Sequence, residues 1–321
     1  MPEVAIGITL AAAIAAPHLL QLERVTPIWA AVVWLATLAL RALLAAVGAI
    51  FLFVHLPQTG LFDALTHWCL HQAVPLVATE LGVSEHPVSH AAGLLPGAVL
   101  AGSLIWLAFG LTRSWVALTR TLRRAVGEGP AGSTVIDNPG MLVAATGIGR
   151  GRIVVSDAAL RVMDPEELEA SLAHEAGHLR RRHRPMLLAA AVLAALGRVL
   201  PGTDAARREL NFHLERDADE YAVAQSCDPL ALASAICKAA TTPPRGLVAL
   251  GGRGHARLRL GYLMDEQPRR AGRRLEVGTR ALAGLLVALV VAVAASLPLL
   301  VVAGHSPAEA LAADCHHQHQ H

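Results

Sequence analysis

The chain has 321 residues, of which 54% are hydrophobic and 16% charged, with a mean hydropathy of +0.47. This composition excludes an ordinary soluble protein, which carries about 25% charged residues, and a disulfide-stapled scaffold, because four cysteines are too few for this length. The 27 basic and 25 acidic residues nearly balance, which argues against direct nucleic-acid binding, so the sequence predicts an integral membrane protein with a substantial water-soluble part.

Four stretches of the chain are long and apolar enough to cross a bilayer, which takes about 20 residues. Only the second carries a charged residue, Arg41, which is costly at membrane depth unless it lies inside a helix bundle or reaches the interface; both placements stay open. A further apolar run over 185–197 is short for a span, and we expect a buried helix or a shallow dip into the membrane there. The four predicted spans cover residues 4–22, 28–56, 91–112 and 281–303.

The basic residues indicate which segments face the cytoplasm, because cytoplasmic loops carry an excess of Lys and Arg. Of the 27 basic residues, 25 lie between Arg113 and Arg280, and none lies within 55–90 or 304–321. The predicted parts are a three-span membrane bundle over 1–124 with an external loop at 55–90, a cytoplasmic domain over 125–279, a fourth transmembrane helix over 280–303 and an external His-rich tail over 304–321.

The predicted cytoplasmic segment begins with a linker over 127–132 and continues with β-favouring runs and then helices. Asp164-Pro165-Glu166-Glu167 is typical of a helix start, with Asp at the N-cap, Pro at the first helical position and Glu at the third. We expect this helix to run to about Arg184. The three β-favouring runs cover residues 133–136, 141–145 and 152–156.

One stretch of the predicted helix has the residue types and spacing of a zinc site. His174-Glu175-Ala176-Gly177-His178 places two histidines four residues apart on one helix face, within reach of a single Zn²⁺, with Glu175 beside them as a candidate general base. Catalytic zinc usually has three protein ligands, and Glu215, in a charged helical stretch, is the best candidate for the third. Asp219 shares a helix face with Glu215 and is expected to hydrogen-bond a ligand histidine.

Other residues near this site have competing or plainer interpretations. Glu209 and His213 are alternative third ligands. His183 lies about half a turn around the helix from His174, so we expect it at the surface or at the membrane boundary. We expect a solvated or lipid-headgroup face from the four neighbouring arginines, Arg180, Arg181, Arg182 and Arg184.

The run from Ile153 to Tyr221 resembles a membrane gluzincin peptidase. The resemblance rests on the helix start at Asp164, on the HExxH sequence and on Glu215-Arg216-Asp217-Ala218-Asp219, which has the ExxxD pattern. In its order of spans the chain is similar to the BlaR/MecR-type sensor peptidases, and in its motifs it is related to the HtpX-type peptidases. It lacks the external penicillin-binding sensor domain of the antibiotic receptors, because only 18 residues follow the last predicted span, so β-lactam sensing is not expected.

The resemblance implies an α-helical integral membrane protein with about four transmembrane helices and a cytoplasmic α+β zincin-like metallopeptidase domain. One catalytic Zn²⁺ would be held by His174, His178 and Glu215, with Glu175 as general base. The implied enzyme is a zinc endopeptidase of a bacterial plasma membrane that cleaves a cytoplasmic DNA-binding repressor, and also itself, after an external signal. An HtpX-like quality-control protease and a non-proteolytic metal receptor are the alternatives, and a homodimer stays open.

The oxyanion donor and the substrate-binding strand of the implied mechanism are less closely defined by the sequence. The donor that stabilises the oxyanion is not assigned, with Tyr221, His213 and several arginines as candidates. The run over 141–145 is a candidate edge strand, to which an extended substrate would add as a further strand.

The predicted external surfaces hold ten of the 16 histidines and two of the four cysteines. Imidazole and thiolate ligands favour Cu or Zn, so one hypothesis is an external sensor for such a metal that acts on the cytoplasmic site through packing of the spans. A solubilising tail, an altered purification tag and a Cys69–Cys315 disulfide are the plainer interpretations. The candidate external ligands are His67, Cys69, His71, His86, His90, Cys315, His316, His317, His319 and His321.

Overall fold

The computed structural model describes residues 2–55, 86–147, 151–225, 227–241, 256–264 and 272–303. Its helices are α1 (Pro2–Leu19), α2 (Pro27–His55), α3 (His86–Leu122), α4 (Asp157–Val162), α5 (Pro165–Arg180), α6 (His183–Leu196), α7 (Thr203–Ala224), α8 (Pro229–Thr241), α9 (Ala256–Met264) and α10 (Arg273–Ala303). Its strands are β1 (Ala125–Glu128), β2 (Thr134–Ile136), β3 (Val143–Thr146) and β4 (Arg152–Ser156).

The predicted external metal site lies almost entirely outside the described residues. His86 and His90 fall in the first turns of α3, whereas the other eight candidate ligands lie in 56–85 and 304–321, which are not described. The external sensor therefore stays a prediction.

Three helices of the described chain are long and apolar enough to cross a membrane. Their apolar stretches are Pro27–Ile50 in α2, Gly97–Ala117 in α3 and Arg273–Ser296 in α10, which overlap the second, third and fourth predicted spans. The described part of α1 contributes a shorter apolar helix, Ile8–Leu19. Three of the four predicted spans therefore have matching helices, and the first span stays a prediction.

The α2 helix lies at the centre of the helical packing. It contacts α1, α3, α6, α7 and α10, and 61% of its apolar stretch is buried, against 6% for α3 and 17% for α10. A helix that is apolar on all sides is expected to be buried by its neighbours or by lipid. Arg41 on α2 is only 3% exposed, and its guanidinium donates to the carbonyl oxygen of Pro201 and lies 3.1 Å from His18 Nε2. Of the two placements left open for Arg41, the structure shows burial between helices.

The strands form one four-stranded mixed sheet in the order β1-β2-β4-β3. The central pair, β2 and β4, is parallel, and the two outer pairs are antiparallel. The three predicted runs correspond to β2, β3 and β4, whereas β1 is a further strand at the start of the predicted cytoplasmic domain, where its last two residues fall in the predicted linker. β3 pairs only with β4 among the described strands, so it is an edge strand, in agreement with the prediction for residues 141–145.

The helix that carries the HExxH sequence begins where it was predicted and ends earlier. Pro165 is its first residue, and the Glu167 carboxylate accepts a hydrogen bond from the Asp164 backbone N–H, as in a capping box. The expected end near Arg184 is wrong, because α5 stops at Arg180 and Arg182 adopts a left-handed conformation (φ 56°). The chain turns at that residue, and α6 begins at His183.

Residues 185–196 lie in α6, which packs against other helices, while a shallow dip of this segment into the membrane stays a prediction. Ala190 and Ala194 are buried in the same apolar core as α2 and α7, and Met186, Leu187 and Leu193 pack against it. After a turn at Gly202 (φ 82°), α7 runs along both α2 and α5. This arrangement places the charged face of α7 against the HExxH helix.

Candidate metal centre

His174, His178 and Glu215 meet between α5 and α7. One candidate ligand atom from each residue lies within 4.8 Å of the other two. The two Nε2 atoms are 3.2 Å apart, and the Glu215 carboxylate places one oxygen 3.5 Å from each of them. Both histidines are buried and Glu215 is half-buried. The structure thus brings together the three residues that the sequence proposed as ligands, whereas Glu209 and His213 are not part of this group.

Close contact between the two helices is possible because α5 carries a glycine inside the HExxH sequence. A Cβ atom built at Gly177 would lie only 3.1 Å from the Cβ and ring atoms of Tyr221 on α7. Larger residues would push α7 away from α5. Gly177 therefore sets the separation at which Glu215 reaches the two imidazoles.

The outer atoms of His174 and Glu215 are held by charged partners. His174 Nδ1 lies 2.8 Å from Asp219 Oδ1, which is the contact expected for Asp219. Arg259, on α9, donates from Nη1 to Glu215 Oε2 at 2.7 Å, and from Nε and Nη2 to the two oxygens of Asp219 at 2.8 and 2.7 Å. Sequence reasoning missed Arg259. The available signal was two carboxylates on one buried helix face, which require a nearby cation.

His183 is part of the same cluster, so its expected place at the surface or membrane boundary is wrong. It is fully buried, with Nδ1 2.9 Å from His178 Nδ1 and Nε2 2.9 Å from Asp217 Oδ2. The half-turn argument assumed a continuous helix, and the left-handed Arg182 turns the chain back so that the His183 ring points towards His178.

The four arginines around this turn do not form a single solvated face. Arg180, Arg181 and Arg182 are exposed, as expected. Arg181 forms an ion pair with the buried Asp217, and Arg184 donates to the backbone oxygen of Gly147 at 3.2 Å. The expectation is therefore wrong for Arg184 alone, which is half-buried because the Gly147 oxygen lies within reach of its guanidinium group.

Glu175 connects the cluster to the edge of the sheet. Its Oε2 atom accepts a hydrogen bond of 2.6 Å from the backbone N–H of Ala145 on β3. Burial raises the pKa of Glu175 above its ordinary value, although the charge of His174 and the Ala145 N–H act in the opposite direction. A carboxylate with a raised pKa holds a proton more readily, which suits a general base.

The cluster also holds its side chains in unequal protonation states. Burial lowers the pKa of His178 to about 3, so this imidazole is neutral. Burial also lowers that of His174, but Asp219 and Glu215 more than offset this and raise its pKa to about 10. For Glu215, the effect of burial is outweighed by His174 and Arg259, which hold its pKa below the ordinary value. His178 and Glu215 are therefore in the forms that bind a metal ion, whereas His174 is protonated and would have to release its proton when an ion binds.

Comparisons with known proteins point to the same part of the chain. Residues 133–237 match the model of Peptidase family M48. A Protease HtpX homolog from Thermoplasma acidophilum is 38% identical over 61 residues, which is 19% of this chain and 19% of the relative's length. No solved structure matches the chain. The segment that matches this peptidase family contains His174, His178 and Glu215, the group that could hold a metal ion.

Proposed function

We propose that the chain is a membrane zinc endopeptidase of the HExxH gluzincin type that hydrolyses peptide bonds of cytoplasmic proteins. The observation that carries the proposal is the convergence of His174, His178 and Glu215, with Glu175 beside them, inside the segment that matches a peptidase family. The proposal includes a multi-pass arrangement in a bacterial plasma membrane, with residues 125–279 in the cytoplasm.

The residues present fit a catalytic zinc ion. Two imidazoles and one carboxylate are a known ligand set for catalytic zinc, and the outer nitrogen of each ligand histidine lies within 2.9 Å of a carboxylate or a second imidazole. His174, His178 and Glu215 would hold the ion. Bound there, zinc would polarise the scissile carbonyl and lower the pKa of the attacking water.

Glu175 is the proposed catalytic residue. It takes the proton of the attacking water and returns it to the leaving amine, and its raised pKa suits both transfers. Its present contact with Ala145 places the carboxylate between the proposed ligands and β3. The Glu175 carboxylate therefore lies next to the path that an extended substrate along β3 would take.

The substrate proposed for this site is an extended peptide segment that pairs with β3. The opposite edge of β3 is unpaired among the described strands, and the Ala145 N–H points to that side, since Glu175 accepts it. An added strand would gain backbone hydrogen bonds there. The oxyanion donor is not assigned by these contacts.

Two natural roles fit this chemistry. The first is signalling, in which an external event, such as binding of Cu or Zn, activates cleavage of a cytoplasmic DNA-binding repressor and of the enzyme itself. The second is quality control of membrane proteins, which the similarity to a Protease HtpX homolog favours. Both roles use the same site and differ in the number of substrates.

The experiment that tests the proposal compares the full-length protein with Glu175→Gln for zinc content and for cleavage of co-expressed proteins. We expect both to bind one zinc ion and only the wild type to cleave. Glu209→Gln, on α7 but outside the ligand group, is the matched control and should keep both properties. Cleavage by Glu175→Gln would contradict the proposal, and absence of zinc from the wild type would contradict the ligand set.

The cleaved proteins then separate the two roles. One soluble DNA-binding protein among the products supports signalling, whereas many membrane proteins support quality control. Metal transport with no cleavage by the wild type would instead support a metal receptor or transporter.

A further inference from the structure

The two proposed ligand histidines are held by different kinds of partner. His174 Nδ1 faces the carboxylate of Asp219, but His178 Nδ1 faces another imidazole nitrogen, His183 Nδ1, at 2.9 Å. Two neutral nitrogens at this distance can form a hydrogen bond only if one carries a proton and the other does not. The contact between His183 and Asp217 decides which of the two nitrogens carries the proton.

Asp217 fixes the order of protons in this chain of contacts. It is fully buried, the guanidinium of Arg181 pairs with its Oδ1, and its Oδ2 lies 2.9 Å from His183 Nε2. A carboxylate paired with a cation only accepts hydrogen bonds, so His183 Nε2 donates and its Nδ1 is left as the acceptor. His178 Nδ1 must then donate, and the lone pair of His178 is left on Nε2. That atom is the one that faces His174 and Glu215.

We propose that His183 and Asp217 are positioning residues that fix the ring orientation and the tautomer of His178, so that its Nε2 is free to bind the metal ion. This inference rests on the proposed role of His178 as a ligand. His183 and Asp217 touch neither the ion nor the substrate, and they act through His178 alone.

An unusual backbone turn supports this assignment, because it places His183 next to His178. Arg182 adopts a left-handed conformation that non-glycine residues rarely take, and this turn directs His183 towards His178 instead of away from it. Both His183 and Asp217 are completely excluded from solvent, where an unmet polar group is costly. The hydrogen bond between His183 and Asp217 therefore gives both buried side chains a partner, and the contact with His183 does the same for His178 Nδ1.

A first test uses a matched pair of replacements at His183. In His183→Asn, the amide oxygen can stand where Nδ1 stood and still accept from His178, whereas His183→Leu has nearly the same shape and no acceptor. The readout is zinc affinity of the full-length protein, measured by competition with a chelator. We expect His183→Leu to bind zinc about 10–100-fold more weakly than the wild type, which is the usual effect of removing such a partner, and His183→Asn to recover much of this loss.

A second test reverses the proton order without removing a side chain. In Asp217→Asn, Arg181 keeps the amide oxygen on its own side, so the amide NH₂ faces His183 Nε2 and the preferred tautomers of both histidines reverse. We expect zinc affinity to fall by about 10–100-fold. Adding Arg181→Met to this variant frees the amide to turn its oxygen towards His183, and zinc affinity should partly recover.

The outcomes separate this inference from the function on which it rests. Unchanged zinc affinity in His183→Leu and Asp217→Asn would overturn the inference and leave the zinc site intact. Equal losses in His183→Asn and His183→Leu would also overturn it, because the acceptor would then not matter. Absence of zinc from the wild type would overturn the proposed function as well. The unfolding temperature of each metal-free variant shows whether it is folded, and the Asp217 variants still test the inference if His183→Leu is not.

Discussion

Replacing Arg259 by methionine tests whether the metal-free site depends on a buried cation. Arg259 makes three N–H bonds, at 2.7 to 2.8 Å, to the carboxylates of Glu215 and Asp219. All three side chains are largely excluded from water, at 12%, 15% and 7% exposure. Methionine keeps much of the apolar stem and removes the charge, so the two carboxylates lose their common partner.

The expected cost follows from the burial of the charges that remain. Breaking a buried ion pair by removing one partner costs about 3–5 kcal/mol, and we expect the lower end because His174 stays 2.8 Å from Asp219. A loss of about 3 kcal/mol lowers the unfolding temperature by roughly 6–12 °C for a domain of 150–250 residues. Zinc bound to Glu215 would supply positive charge at the same place, so zinc should raise the unfolding temperature of Arg259→Met more than that of the wild type.

The assay is thermal unfolding of the full-length protein in detergent, with chelator and with added zinc. Arg257→Met is the matched control, because Arg257 lies on the same helix with an exposed side chain. If Arg259→Met and Arg257→Met unfold within about 2 °C of each other in chelator, the buried cation is not needed and the reasoning fails.

Two further changes test the packing of the site helix and the acid stability of its first turn. Gly177→Ala places a Cβ 3.1 Å from Tyr221. We expect it to lower the free energy of unfolding in urea by about 1–3 kcal/mol and to weaken zinc binding. Gly261→Ala is the control, because no atom lies within 4 Å of its Cβ, and it should be neutral or stabilising. Burial raises the pKa of Glu167, but Lys238 and Ser234 outweigh it and hold this pKa below its ordinary value of 4.5. The resulting stability is present above pH 4.5 and is lost as the pH falls below it. We therefore expect the free energy of unfolding to fall less steeply with acid in Glu167→Gln than in the wild type. Equal declines in the two proteins would contradict the assignment.

The parts of the site that were predictable from sequence are those set by local geometry. The spacing of His174 and His178 on a helix and the Pro165 helix start depend on a few neighbouring residues, and so does the pairing of Glu215 with Asp219 on one helix face. Three long apolar helices were predictable for a similar reason, because bilayer thickness sets the length of apolar run that the sequence is searched for.

The parts that were missed depend on contacts between distant segments. Arg259 lies 44 residues after Glu215 and carries no motif, so only the fold shows that it meets the two carboxylates. The position of His183 depends on a single left-handed residue, Arg182, in a run that otherwise favours a continuous helix. Three of the four residues of β1, Ala125, Gly127 and Glu128, have a weak strand preference, so this strand depends on its pairing with β2.

The hydrogen bond between Glu175 and Ala145 has a kinetic consequence. On the proposed mechanism, the strand that a substrate must pair with also binds the carboxylate that accepts the proton. A polypeptide long enough to bond along β3 would release Glu175 as it binds, whereas a short peptide would leave the carboxylate engaged. Turnover should therefore rise sharply above a threshold of substrate length, at equal sequence around the cleaved bond. A protease regulated in this way would leave small peptides uncleaved and would cleave extended stretches of whole proteins.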